Sequence, residues 1–162
     1  MGGTFDDLSL MIGKYPKKVH CLGGVGNKRI KDAENILELQ FPKSFREFLR
    51  RYGRLNYVGL EFYGLEQHLI DLTQSSCIKN TLLERKLKDF PKSHVVIYNT
   101  GWEGELFCLD TNNMRDCECP IVNWISGAKF VNQPNEVISN SYIDFLVDFV
   151  RQALNRHERR KS

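Results

Sequence analysis

No apolar run in the sequence approaches the roughly 18 residues that a membrane span requires. The opening stretch from Met1 to Asp7 also lacks the basic region and apolar segment of a secretory signal. Both absences point to a cytoplasmic protein with no membrane partner. A disulfide framework is missing too, because Cys21, Cys77, Cys108, Cys117 and Cys119 form an odd, unevenly spaced set, and free thiols are expected. Cys117-x-Cys119 does not have the CxxC spacing of a zinc knuckle, and neither a second cysteine pair nor a nearby histidine completes four ligands. No metal is expected. His20, His68, His94 and His157 stand far apart, and no nucleophile elbow or HExxH motif is present. The expectation is therefore a non-enzyme without catalytic residues or cofactor, with His94, at a strand start, as a structural histidine. Gly23, Gly24 and Gly26 precede Asn27-Lys28-Arg29 but satisfy neither phosphate-loop pattern, so they read as a flexible connector.

What the chain does have is the make-up of one soluble domain. Its 162 residues are 41% hydrophobic and 27% charged, and a domain of that length buries about 70% of the surface its unfolded chain exposes. No internal repeat divides it. The reading is a single domain over 1–162, with a lead-in at 1–26, a core at 27–157 and a basic tail at 158–162. The net charge of +3 is concentrated at the end. Arg151, Arg156, Arg159, Arg160 and Lys161 stand against Glu158 alone, which leaves residues 1–150 at −1. Such an end reads as a solvated helix terminus, where cations suit the negative pole of the helix dipole. Direct nucleic-acid binding is not expected on this balance. Its carriers would be Lys28, Arg29, Lys31, Arg46, Arg50, Arg51 and the tail, and it would have to weaken steeply with salt.

Apolar spacing predicts the elements. Phe5, Leu8, Met11 and Ile12 suggest a short helix followed by a loop, and Ile30, Ala33, Ile36 and Leu37 a helix that stops before Pro42. Pro42 opens a third helix with Phe45, Phe48, Leu49 and Tyr52 on one face, and Gly53 ends it. Tyr57 to Leu65 reads as one strand with glycine kinks. Ile78, Leu82, Leu83 and Leu87 suggest a helix ending before Pro91. Val95–Tyr98, Glu105–Leu109 and Ile121–Ile125 read as three strands of an antiparallel meander. A long stripe from Tyr142 to Leu154, capped by Ser139 or Ser141, predicts the C-terminal helix. The fold class is α+β, with helices packed on one antiparallel or mixed sheet.

The most informative cluster lies between Trp102 and Glu118. Glu103, Glu105, Asp110, Asp116 and Glu118 there face only Arg115. Acidic groups beside a tryptophan suit an interface for a basic protein, since complementary charge speeds encounter and an aromatic anchor holds it. Trp102 packed back on the sheet, among ordinary loop carboxylates, is the alternative. The candidate partner-binding residues are Trp102, Glu103, Glu105, Asp116 and Glu118.

An ordered string of segments carries a family likeness. Ala33-Glu34 through Phe41-Pro42-Lys43-Ser44-Phe45-Arg46-Glu47-Phe48-Leu49 to Tyr52-Gly53, then Leu60-Glu61-Phe62-Tyr63-Gly64-Leu65, Val95-Val96-Ile97-Tyr98, Gly104–Asp110 and Pro120–Trp124 together resemble the SUKH superfamily, over roughly residues 28–155. The segment from Cys108 to Pro120 looks most like its YobK-type bacterial antitoxins. The resemblance implies a non-enzymatic immunity protein that neutralises a cognate toxin, a nuclease among the candidates, by direct stoichiometric binding. A regulatory scaffold for a cellular protein is the alternative. The chain departs from strongly acidic nuclease inhibitors in its overall charge.

Overall fold

The computed structural model describes residues 2–68, 73–87, 89–127 and 136–162. Helix α1 (Phe5–Ile12) starts at a capping box in which the Thr4 hydroxyl accepts from the Asp7 N–H while the Asp7 carboxylate accepts from the Thr4 N–H. The segment expected as a loop then holds a 3-10 turn (Pro16–Lys18) and a short strand, β1 (Val19–Cys21). Helices α2 (Asn27–Leu37) and α3 (Lys43–Tyr52) follow, with Ile30, Ala33 and Leu37 of α2 and Phe45, Phe48 and Leu49 of α3 buried as the apolar spacing predicts, whereas Ile36, expected on the same face, is exposed and Glu34 is buried in its stead. The glycine stretch between β1 and α2 is a packing device and not a loose connector. A Cβ on Gly24 would lie 1.6 Å from the Arg50 carbonyl oxygen, and the Val25 N–H donates to the Leu49 carbonyl.

The single kinked strand expected from Tyr57 to Leu65 is a hairpin, β2 (Leu55–Tyr57) and β3 (Leu60–Phe62). Its two-residue turn, Val58-Gly59, has φ of 41° and 86°, which is the geometry that matches the twist of paired strands. β1 pairs with β2, giving a three-stranded antiparallel sheet. Helix α4 (Cys77–Arg85) leads to the meander β4 (His94–Asn99), β5 (Glu105–Asp110) and β6 (Ile121–Ile125), to which β7 (Val137–Ser139) adds a fourth antiparallel strand. One expected sheet is thus two. They meet at a register shift between Val96 and Tyr98, where the Ile97 carbonyl accepts the Tyr63 N–H, because a bulge bends the strand and re-aims its backbone groups. Next to this shift, the Val96 N–H donates to the Thr81 hydroxyl of α4.

Helix α5 (Tyr142–Lys161), capped by Ser141, ties the two sheets together. Phe145 is fully buried and makes ring contacts with Phe62 of β3 at 5.8 Å and with Tyr98 and Phe107 of the larger sheet at 5.9 Å each. The helix runs through Lys161, so the residues expected as a basic tail are its last turn.

Candidate functional site

The period of two puts Phe107 and Tyr98 on the α5 side of the larger sheet, and Leu106, Cys108, Asp110, Val122 and Trp124 on the opposite side. The acidic stretch from Trp102 to Glu118 is divided by β5, whose six residues span about 17 Å. Trp102 and Glu103 lie in the β4–β5 turn at one end, with Glu105 opening the strand. Asp116 and Glu118 lie in the β5–β6 connection at the other. The five candidate residues therefore occupy two places.

At the first place the backbone is held from several sides. The Gly101 N–H donates to Asn99 Oδ1, the Trp102 N–H to Thr100 Oγ1, and the Glu105 N–H to the Trp102 carbonyl. The Gly104 carbonyl accepts the Ser126 N–H. Within this frame Trp102 is 69% exposed, so the indole does not pack back on the sheet. Glu103 beside it sits at φ 44°, a conformation that costs a non-glycine residue about 1–2 kcal/mol. The Glu105 carboxylate accepts from Asn123 Nδ2 at 3.2 Å, which fixes it along the strand.

At the second place Glu118 has a structural task. Helix α3 starts at Pro42, which has no side chain able to cap, and its first turn carries no acidic residue. Glu118, 74 positions away, accepts the Ser44 N–H at 2.9 Å, and the Cys117 carbonyl accepts the Lys43 N–H at 2.8 Å. The carboxylate supplies the acceptor and the negative charge that the start of the helix lacks. Ser44 in turn accepts the Ile143 N–H at the start of α5, and Asp144 accepts the Gly3 N–H, so one polar relay joins the connection, two helices and the N-terminus. Asp116 is exposed, with φ 51°. Beside this connection a cleft of about 580 Å³ is lined by Asp110, Arg115, Glu118, Val122, Val137 and Asn140 among others. It can receive a mixed polar and aliphatic group. Val137 in its wall is more than half exposed.

The other groups singled out in the sequence resolve into packing. His94 is buried between the Phe90 and Trp124 rings, with Nδ1 3.9 Å from Asp110 Oδ1. Cys77, Cys108 and Cys119 are buried thiols, and burial pushes Cys77 and Cys119 up to about 12 and Cys108 well above the ordinary thiol value. Cys21 and Cys117 are exposed. Arg46 forms an ion pair at 2.7 Å with the buried Glu34, which also accepts the Phe41 N–H and so stitches α2 to α3 across the proline step. Arg50 and Arg51 pair with Glu47, whose carboxyl is held low chiefly by the Arg51 hydrogen bond.

Among the described residues no helix is long and apolar enough to cross a membrane. Residues 10–151 match the model of a family described as SUKH_5, SMI1-KNR4 cell-wall.

Proposed function

Because this chain belongs to the SUKH_5 (SMI1-KNR4) family, we propose that it is an immunity protein that neutralises a cognate toxin by direct stoichiometric binding. The observation that carries the reading is the tryptophan at the β4–β5 turn. A side chain of that size loses a large apolar contribution by staying in water, roughly 2–3 kcal/mol for full burial of a large apolar side chain. A turn that holds it outward on fixed hydrogen bonds suits a partner that buries it, because a pre-organised anchor gives up little conformational entropy on binding. Glu103 and Glu105 give that anchor an acidic surround, which fits a basic partner surface. Inhibition by occlusion of the toxin's substrate groove requires no reactive group on the inhibitor. The cytoplasm as the place of action and a bacterial source belong to the same reading.

The test is co-expression with a candidate toxin domain taken from a neighbouring gene, scored by cell survival and by recovery of a one-to-one complex. Survival with a complex that Trp102→Ala weakens at least 30-fold is the expected result. Survival without any complex, or a complex that Trp102→Ala leaves unchanged, defeats binding through this turn. Failure to protect, together with a stable complex with another cellular protein, moves the scaffold reading to the front.

A further inference from the structure

Helices α1 and α5 lie side by side and run the same way. The Gly3 N–H donates to Asp144 near the start of α5, while Lys14 pairs with Glu158 near its end at 3.8 Å. Tyr15 fixes the far end: its ring meets His157 at 4.8 Å and carries Lys161 Nζ 4.4 Å above its centroid. Two segments more than 130 residues apart in sequence are thereby joined. Once Lys14 and Glu158 have paired, what remains is Lys17 and Lys18 on the 3-10 turn and Arg156, Arg159, Arg160 and Lys161 on the last turns of α5. All six are exposed, and none forms an ion pair among the described residues.

Helix-end electrostatics do not account for them. Each helix terminus presents about half an elementary charge, so two neighbouring C-termini ask for about one cation, not six. Of the basic residues suggested by the sequence near α2 and α3, Arg46, Arg50 and Arg51 are taken up by Glu34 and Glu47, which leaves Lys28, Arg29 and Lys31 of α2, three cations on a single segment against six on two.

We infer that this end of the molecule binds the phosphate backbone of a nucleic acid, without reading its sequence. The patch offers long, mobile cations; its aromatic ring, Tyr15, is half-buried beneath His157 and Lys161, and Leu10 is the single large exposed apolar side chain on α1. Stable attachment to an anionic membrane takes an inserted apolar group as well as charge. An acidic protein surface would call for a desolvated aromatic or apolar anchor. Phosphate contacts need neither, because most of their free energy comes from released counterions.

The experiment is fluorescence anisotropy of the full chain with a labelled 20-nucleotide RNA and a 20-base-pair DNA, both of arbitrary sequence, from 50 to 200 mM salt. Engagement of about four phosphates predicts an affinity loss of about 100-fold over that range for the duplex. Lys17→Glu with Lys18→Glu, and separately Arg159→Glu with Arg160→Glu, are each expected to weaken binding at least 10-fold. Lys28→Glu with Arg29→Glu should change it less than 3-fold. The first pair lies outside the long helices, so a folding defect in the second pair does not remove the test. No binding at 50 mM, binding indifferent to salt, an effect confined to one of the two segments, or binding only to phosphatidylserine vesicles each overturns the inference.

Discussion

The two ends of strand β5 carry the same kind of residue in different employment. At the β4–β5 turn, Glu103 makes no hydrogen bond or ion pair among the described residues and stands beside an exposed tryptophan on a strained backbone. At the β5–β6 connection, Glu118 is half-buried and closes the start of α3. A carboxylate aimed at solvent is available to a partner, whereas one that completes a helix is committed to the fold. The sequence shows two glutamates fifteen positions apart in one acidic run, and the tertiary structure separates a solvent-facing carboxylate from a cap.

Five substitutions at four positions and one labelling experiment break or sharpen this contrast. The scale is set by Phe145, which touches neither end but holds both sheets to α5. Phe145→Ala is expected to cost about 3–5 kcal/mol in urea denaturation, and a smaller loss would mean that the sheets hold together without it. Trp102→Ala should weaken the proposed toxin complex by about 2 kcal/mol or more while leaving the urea midpoint unchanged. A fall in stability instead would make the tryptophan part of the core. Glu118→Ala should do the reverse, lowering stability by about 1–2 kcal/mol, with Glu118→Gln recovering part of it because the amide oxygen still accepts from Ser44. Equal losses in both variants would place the contribution in the charge alone.

The smallest energetic effect is expected at Glu103. Glu103→Gly relieves the positive φ and should raise stability by about 0.5–1 kcal/mol, partly offset by the greater freedom of glycine in the unfolded chain. A variant no more stable than the parent would show that the turn holds no strain. Thiol reactivity extends the contrast within the second end. Iodoacetamide at pH 8 should label Cys21 and Cys117 in the native protein and spare Cys77, Cys108 and Cys119, since burial disfavours their thiolates. Mass spectrometry of peptides from labelled native protein reads this directly, and rapid labelling of Cys119 would place it nearer solvent than the fold does.

Elements that carry their own periodicity were legible before the structure. The Phe45, Phe48, Leu49 and Tyr52 face of α3 and the stripe of α5 define helices whatever surrounds them, and the three-strand meander follows from its short connections. The hairpin of β2 and β3 was not legible, because Val58-Gly59 puts a β-branched valine at a positive φ, where asparagine or aspartate is the usual signal. Strands β1 and β7 are three residues each, too short to show an alternation, and exist through the neighbours they pair with.

By itself the sequence determined the fold class, the buried faces of α3 and α5 and the presence of an acidic run with one tryptophan, because these depend on residue type and near-neighbour spacing; it misplaced the face of α4, where Leu82 and Leu83 are exposed and Cys77, Ile78 and Thr81 are buried. Only the tertiary structure decided that the sheet divides at the β4 register shift, that Glu118 serves a helix 74 positions away and that Trp102 faces water. The tertiary structure alone also brings Lys14 and Tyr15, which lead into the turn bearing Lys17 and Lys18, against the end of α5. Apart from the exposure of Trp102, each of these is a meeting of groups remote in the chain, and which groups meet is fixed by the packing of the whole core around α5.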